Sequence, residues 1–594
     1  MNPTHVKLLH KAQALDRSGK AAEAATAYRA FLRLQPGHAS AWADYAGKLL
    51  QLNRLEEAQQ ACDAALRIAP QTLSARINLG CVQMRQGHLN EAEYQFRSVL
   101  MVDSHRFDAR LCLGECLLNK RDLEKIWDVL TEGIPQGSTN AHYAPLRPRH
   151  AELWAIFSTT LYEAQQWEDA EKACRAALAI DPHTFMAQAN LGSIRMAQSR
   201  FEEAEAFLRR LVADHPQEEA ARLLLITCLT RIGDLASASQ EISKAIQRNP
   251  TSLAVHNSVT GTYYNRGRWA EYRAEVERFR KADPTSAHPD WEQGLVDLLF
   301  GNMPQGWERY EARLRLPPES KQQRSFAQPA WSGGSLAGKT LLLWAEQGLG
   351  DTLMFLRYLP LVKARGGRVF LEVQSALVEV ALTCAGADVV IPKGATLPPF
   401  DLQCSLMSLP WVFKTELATI PADIPYLDVP ETVPHRQVLL ECLNQAKEQT
   451  RIGLVWAGRP GYGRDFERSL PAATLAPLAA LPDVAWFSLQ LGKQDLPPLP
   501  NLTSLAPLLE NFADTAYVLS GMDLVITVDT AVAHLAGALG IPTLLLLSFQ
   551  PDFRWLLERE DSPWYPSIRL YRQPDYGDWK SVVARILNDL TQGT

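Results

Sequence analysis

Apolar positions change their period once along the chain. Up to about residue 284 they recur at steps of three and four, the spacing of one helix face; from residue 340 they gather into runs of strand length separated by helical stretches. The first half also repeats at a longer step. Pro36 and Pro70 stand 34 positions apart, and Pro148, Pro182, Pro216, Pro250 and Pro284 keep that interval. Between them the register passes through Ser104 and gains ten residues, which puts an insertion in the polar, Pro- and Gly-bearing stretch 135–150. Twelve residues before the marker stand Ala24, Ala58, Ala92, Ala170, Ala204 and Ala238; eight before it stand Tyr28, Cys62, Phe96, Cys174, Leu208 and Ile242. Small residues at one position and bulky ones at the other predict antiparallel helix pairs, stacked so that each covers the next, with Gly80, Gly114 and Gly192 at the close contact inside a pair. Ile126 departs from the alanine pattern.

The second half reads as "TLLLWA", "RVFLEV", "DVVI", then "RIGLVWAG", "VAWFSLQ", "DLVITV" and "PTLLLL". Strands apolar on both faces and separated by crossovers predict parallel α/β sheets. A polar segment at 428–450 divides them into two Rossmann-like domains facing a cleft. The expected fold class is therefore α + α/β: an N-terminal α-solenoid over 1–284, a helical transition over 285–335, and α/β domains over 336–430 and 450–594, the last ending in a helix. The aromatic, amphipathic tail is expected to close the fold, crossing back to the first α/β domain.

Ligands of such sheets collect beyond the carboxyl ends of the strands, and that rule ranks the motifs. "GGSLAGKT" (333–340) satisfies a phosphate-loop pattern, but its strand follows the loop instead of preceding it, so it reads as a turn entering the sheet. In "AEQGLGD", Gln347, Gly348 and Gly350 form a turn after the first strand that allows a ligand close approach, and Asp351 opens a helix; a functional carboxylate and a plain helix cap are equally open. "VWAGRPGYGRDFERSL" is a glycine-rich loop holding Arg459, Arg464 and Arg468, three guanidiniums suited to phosphate or sugar acids, flanked by Gly458 and Ser469, with Gln490 opening onto the same crevice. "VDTAVAHLAG" brings Asp529, Thr530 and His534 to a strand–helix junction, where amides and the helix dipole suit an anion; His534 is read as a ligand contact against the alternative of a structural histidine.

Composition narrows the partners. The net charge of −6 is dispersed, without the basic, aromatic-interleaved run that nucleic acid requires. The nine cysteines form no CxxC pair, and no stretch of eighteen apolar residues occurs; a reducing, cytoplasmic setting without membrane insertion is expected.

Together these motifs, with the repeats and "SPWYPSIRLYRQ", resemble the bacterial tetratricopeptide-repeat (TPR) glycosyltransferases, a GT-B family similar in its second half to the lipopolysaccharide heptosyltransferases. The resemblance spans essentially the whole chain, with seven or eight TPR copies over 4–284. It implies a nucleotide-sugar donor as substrate, with no cofactor, bound by the C-terminal α/β domain through Gly458, Arg464, Arg468, Ser469, Gln490, Asp529, Thr530 and His534. It implies Asp351 as general base on the acceptor side, beside Gln347, Gly348 and Gly350. Some members of this domain order resemble flagellin-modifying enzymes that attach nonulosonic acids, such as pseudaminic or legionaminic acid, to serine or threonine; for such a sugar the donor is CMP-linked and the repeats recruit flagellin. No lysine aligns with the one heptosyltransferases place near the donor phosphate, and Arg468 is the nearest substitute. No acidic pair of the DxD kind stands at a strand end, so no metal is expected. Two other readings stay open: a non-catalytic repeat adaptor or chaperone that binds nucleotide, and a transferase acting on a lipopolysaccharide sugar.

Overall fold

The computed structural model of the chain describes residues 3–132, 143–316, 324–458, 465–492 and 495–592. The first half of the expected insertion, residues 135–142, and Arg459 and Arg464 in the glycine-rich loop lie outside the described residues. The chain divides into two compact units, Met1–Ala238 and Ser239–Thr594.

The first unit is built of helix pairs: Pro3–Arg17 with Ala21–Leu34, Ala39–Gln51 with Leu55–Ile68, Leu73–Arg85 with Leu89–Val102, Phe107–Lys120 with Leu123–Thr131, Arg147–Glu163 with Trp167–Ile180, and Phe185–Ala197 with Phe201–Asp214. The periodic positions do the packing. Ala24, Ala58, Ala92, Ala170 and Ala204 are fully buried, as is Ile126 in the same slot of the divergent repeat. A Cβ on Gly80 would stand 2.6 Å from Phe96, one on Gly114 2.9 Å from Leu130, and one on Gly192 2.6 Å from Leu208. The glycine of one helix thus receives the bulky residue of its partner, and an added methyl would force the pair apart. Asn78 and Asn190 donate from Nδ2 to the carbonyls of Ala43 (2.9 Å) and Ala155 (3.0 Å), tying each repeat to the one before it.

The second unit begins with two more hairpins, Leu253–Asn265 with Trp269–Ala282 and His288–Leu299 with Met303–Tyr310. Two parallel sheets follow. The first contains β1 (Thr340–Trp344), β2 (Arg368–Val373), β3 (Val389–Pro392) and β4 (Leu402–Ser405) in the order β3-β2-β1-β4; the second contains β5 (Thr450–Val455), β6 (Val484–Ser488), β7 (Leu502–Ser504), β8 (Leu524–Val528), β9 (Thr543–Leu547) and β10 (Ile568–Arg572) in the order β10-β9-β8-β5-β6-β7. Chain order reverses between β1 and β4 in one sheet and between β5 and β8 in the other. Those reversals are where parallel sheets open a crevice for ligands.

One apolar core joins the 298–310 hairpin to both sheets. Trp307 sits edge-on to Phe355, Phe553 and Trp564, which come from both α/β lobes. Buried Arg357 donates to the carbonyls of Trp564 (2.6 Å), Pro421 (3.0 Å) and Met354 (2.8 Å) and lies 4.5 Å from the centre of the Tyr565 ring. The aromatic tail reaches the first lobe through Trp564 and Tyr565, while its helix Trp579–Gln592 does not. That helix packs on Ala472–Ala480 and β10, with Val582, Val583 and Ile586 in a cluster shared with Trp486 and Tyr571, because its apolar face finds cover on the second sheet. Contact with the first lobe is made instead by residues 553–565.

Candidate functional site

The β5/β8 reversal builds one wall of the site. β5 ends at Val455, and the next two backbone amides, Trp456 and Ala457, both donate to Gln490 Oε1 at 3.1 and 2.8 Å. Gln490 is therefore buried against backbone and closes the end of the sheet instead of opening onto the crevice. Gly458 donates from its amide to Ser469 Oγ (3.0 Å), which in turn bonds Asp465 Oδ2 (3.0 Å). A Cβ at 458 would collide with the side chains of Asp465 and Arg468, so this glycine is required for packing. Arg468 donates from Nε to Asp465 Oδ1 (3.1 Å) and from Nη1 to the carbonyl of Asp529 (2.8 Å), bridging the ends of β5 and β8.

Beyond β8, Thr530 is the N-cap of the helix Ala531–Ala538, and its hydroxyl lies 3.4 Å from that of Thr527. His534 is buried. Its Nδ1 is 2.9 Å from the Tyr565 hydroxyl, its ring stacks on Trp555, and its Nε2 stands 3.9 Å from Asp529 Oδ1. Burial, followed by the charges of Arg554, Arg357 and Arg468, pushes the His534 pKa well below the usual range, so the imidazole is neutral.

The first lobe meets this wall at the turn after β1. The sequence suggested that Gly350 leaves room for a ligand; in the structure, a Cβ there would lie 2.7 Å from His534 Cδ2 and 3.5 Å from Ala531 Cα. Glycine 350 lets the helix Leu349–Phe355 press directly on Ala531–Ala538. Gln347 donates to the Tyr310 hydroxyl (3.3 Å), and its carbonyl accepts from Gln374 (2.9 Å). Asp351 is the helix cap that the sequence left open and also one half of an ion pair between the lobes. Oδ2 accepts from the Gly348 amide at 2.7 Å, a helix cap, while Oδ1 is paired with Arg554 of the second lobe. Burial raises the Asp351 pKa, with Arg554 acting against it.

Arg554 was not visible as a site residue in the sequence. It is largely buried, pairs through Nη1 with Asp552 (2.6 Å) and through Nη2 with Asp351, and its Nε has no partner among the described residues. It lies seven positions past the end of β9, so a search beyond every strand end would have reached it. Two further features were missed. Glu346, inside the recognised turn, is held by Arg313 through two bonds of 2.9 Å and by Ser405 (2.6 Å). Tyr264 donates to the Pro551 carbonyl and Asn265 to Glu467 Oε1, each at 2.7 Å, so a repeat hairpin touches both loops that carry the arginines.

Residues 9–71, 161–224 and 195–261 match tetratricopeptide-repeat families, and residues 496–559, from ahead of β7 past Arg554, match glycosyltransferase family 9 (heptosyltransferase). The chain joins tetratricopeptide repeats to a glycosyltransferase family 9 domain. It is 27% identical over 436 residues to Protein FlbA of Caulobacter vibrioides, an alignment covering 68% of this chain and 72% of that one. Solved structures similar to it include a tetratricopeptide-repeat protein of Parabacteroides merdae (12% identity, 43% of this chain and 98% of that chain, TM-score 0.31). Another is the C-terminal part of a TPR repeat-containing protein of Cytophaga hutchinsonii (14% identity, 47% and 97%, TM-score 0.32).

Among the described residues, no group of three or more His, Cys, Asp or Glu is arranged to hold a metal ion, and no helix is long and apolar enough to cross a membrane. The Asp529 carboxyl has its pKa pushed up to about 6 by burial and then by Asp552, against Arg468 and Arg554. Because the folded carboxyl holds its proton to higher pH than the unfolded one, its ionisation costs stability as pH rises from about 4 to about 6. The variant Asp529→Asn is therefore expected to melt higher than wild type at pH 7, with the difference shrinking toward pH 4. A pH-independent difference in paired thermal melts would contradict this.

Proposed function

We propose that the transferase has the GT-B architecture and acts in the cytoplasm on a protein recruited by its repeats. It moves a sugar, such as a nonulosonic acid, from a nucleotide-sugar to a serine or threonine hydroxyl, with flagellin as the acceptor. The observation that carries this reading is the pairing of Asp351, on the turn after β1, with Arg554, opposite it on the second lobe. A proton acceptor and an anion-seeking guanidinium meet where two ligand-binding strand ends converge.

In this reading Asp351 removes the acceptor hydroxyl proton as the glycosidic bond forms. The leaving nucleotide phosphate lies against Arg468, Arg554 and the amides at the start of Ala531–Ala538, where fixed dipoles and guanidinium groups stabilise the developing charge without a metal. Arg554 is paired with Asp351 Oδ1. An anionic donor competes for the same guanidinium, so donor binding frees the base in time for the acceptor.

The test is intact-mass analysis of flagellin from a strain lacking this protein, paired with transfer by the purified chain. The expected result is loss of one sugar mass per modified site in the strain, and transfer in vitro that survives EDTA. Thermal stabilisation by nucleotide with no glycosylated product would instead identify an adaptor.

A further inference from the structure

Junctions between successive repeats of the first unit bring the same two positions together, 31 residues apart in the chain. Asn190 Nδ2 donates to Thr159 Oγ1 at 2.8 Å, and Asn78 Nδ2 stands 3.5 Å from the place a Cβ on Gly47 would take. At the junction between the helices Leu73–Arg85 and Phe107–Lys120, those two positions hold Cys81 and Cys112, whose Sγ atoms lie 3.7 Å apart. The meeting follows from the repeat, because helices stacked at a fixed step present the same slots to each other at each junction. Cys112 occupies the slot from which Asn78 and Asn190 tie their repeat to the one before. In place of a polar tie, this junction carries two thiols in contact.

A third helix completes the cluster. Arg149, near the start of Arg147–Glu163, donates from Nη2 to Cys112 Sγ (3.6 Å) and to Glu115 Oε2 (2.6 Å). A guanidinium beside a sulfur favours the thiolate, the form that reacts. The hydrogen bond from Cys81 holds the Cys112 thiol below its ordinary range, with Arg149 acting in the same direction against burial. Cys81 is partly exposed and Cys112 buried, so a small oxidant meets the pair from the Cys81 side. Of the other cysteines, all but Cys442 are buried.

We propose that Cys81 and Cys112 form a reversible disulfide under hydrogen peroxide, a modification site that crosslinks two successive repeats. Cys112 Sγ attacks one peroxide oxygen as a thiolate; the O–O bond breaks, and the leaving hydroxide takes up the proton released by the thiol, giving one water. Cys81 Sγ then attacks the sulfenic sulfur of Cys112. The S–S bond forms, the S–O bond breaks, and the hydroxyl leaves with the Cys81 proton as a second water. The two thiols give up two electrons and peroxide takes them. Added thiol reverses the bond by exchange, as is usual for disulfides that form transiently in a reducing compartment. The pair lies within the repeats, and its chemistry is independent of the transferase reading.

The test uses the full-length protein, reduced, freed of reductant and exposed to dilute hydrogen peroxide, after which the remaining thiols are capped with N-ethylmaleimide under denaturing conditions. Intact mass and digested peptides are compared for wild type, Cys81→Ser, Cys112→Asn and Cys442→Ser. Cys112→Asn restores the residue found in that slot at 78 and 190, and Cys442→Ser is a control at the other partly exposed cysteine. The expected result in wild type is that two of the nine thiols escape capping, that fragmentation places a crosslink between Cys81 and Cys112, and that dithiothreitol restores all nine. The crosslink should vanish in Cys81→Ser and Cys112→Asn and persist in Cys442→Ser. Capping of all nine thiols in oxidised wild type, a bond from Cys81 to Cys116 or another cysteine in its place, covalent dimers alone, or loss of the crosslink in Cys442→Ser overturns the proposal.

Discussion

Replacing Asp351 by Asn is expected to lower the rate of transfer by about 10² to 10⁴, the usual contribution of a positioned general base. The amide keeps the shape of the carboxyl and an oxygen for the Gly348 amide, so the helix cap survives, but the charge paired with Arg554 is lost and the thermal midpoint should fall. The rate is therefore compared at a temperature where the variant is still folded. The wild-type enzyme should also lose transfer as pH falls through the Asp351 pKa. Burial raises that pKa, so the loss begins at higher pH than for an ordinary aspartate. Transfer by Asp351→Asn within about threefold of wild type, measured by product mass at saturating donor, would leave Asp351 as a structural cap alone and remove it from the chemistry.

The second large effect is expected from Arg554→Ala. Arg554 is the cation shared by Asp351 and Asp552, and Asp529 is close enough for its ionisation to be affected by both Asp552 and Arg554. Removing it leaves carboxylates facing one another in a buried place, which typically costs about 3 to 5 kcal/mol for a broken buried pair. The thermal midpoint should fall by several degrees. If the free Nε of Arg554 also receives the donor phosphate, donor KM should rise at least tenfold at temperatures where the variant is still folded, and Arg554→Lys should recover part of the stability but less of the affinity, because an ammonium cannot hold two anions in fixed directions. A variant that is destabilised yet keeps the wild-type donor KM would confine Arg554 to holding the two lobes together.

Several site residues chosen from the sequence proved to have packing duties that spacing alone could not reveal. Gln490 closes a strand end, Gly350 admits a neighbouring helix, and His534 is neutral between Tyr565 and Trp555. Each lies two to six residues past a strand end, where ligand contacts and interlobe contacts look identical in one dimension. The strands missed by the pattern have a common cause. β4, β7 and β10 are all edge strands. An edge strand need not be apolar on both faces, and "LQCS", "LTS" and "IRLYR" carry polar residues that interrupt the run by which inner strands are recognised.

What the sequence alone determined is everything governed by period. The 34-residue step with its alanine and glycine slots specified stacked helix pairs, and the runs of doubly buried strands specified parallel sheets, because helix and strand geometry convert local spacing directly into a buried face. The pairing at the centre of the candidate site was decided only by tertiary structure. Asp351 and Arg554 are 203 positions apart, and Asn265 and Glu467 are 202 apart. Their meeting depends on how two sheets and a helical hairpin pack around Trp307, and no periodicity within one element encodes a contact between elements.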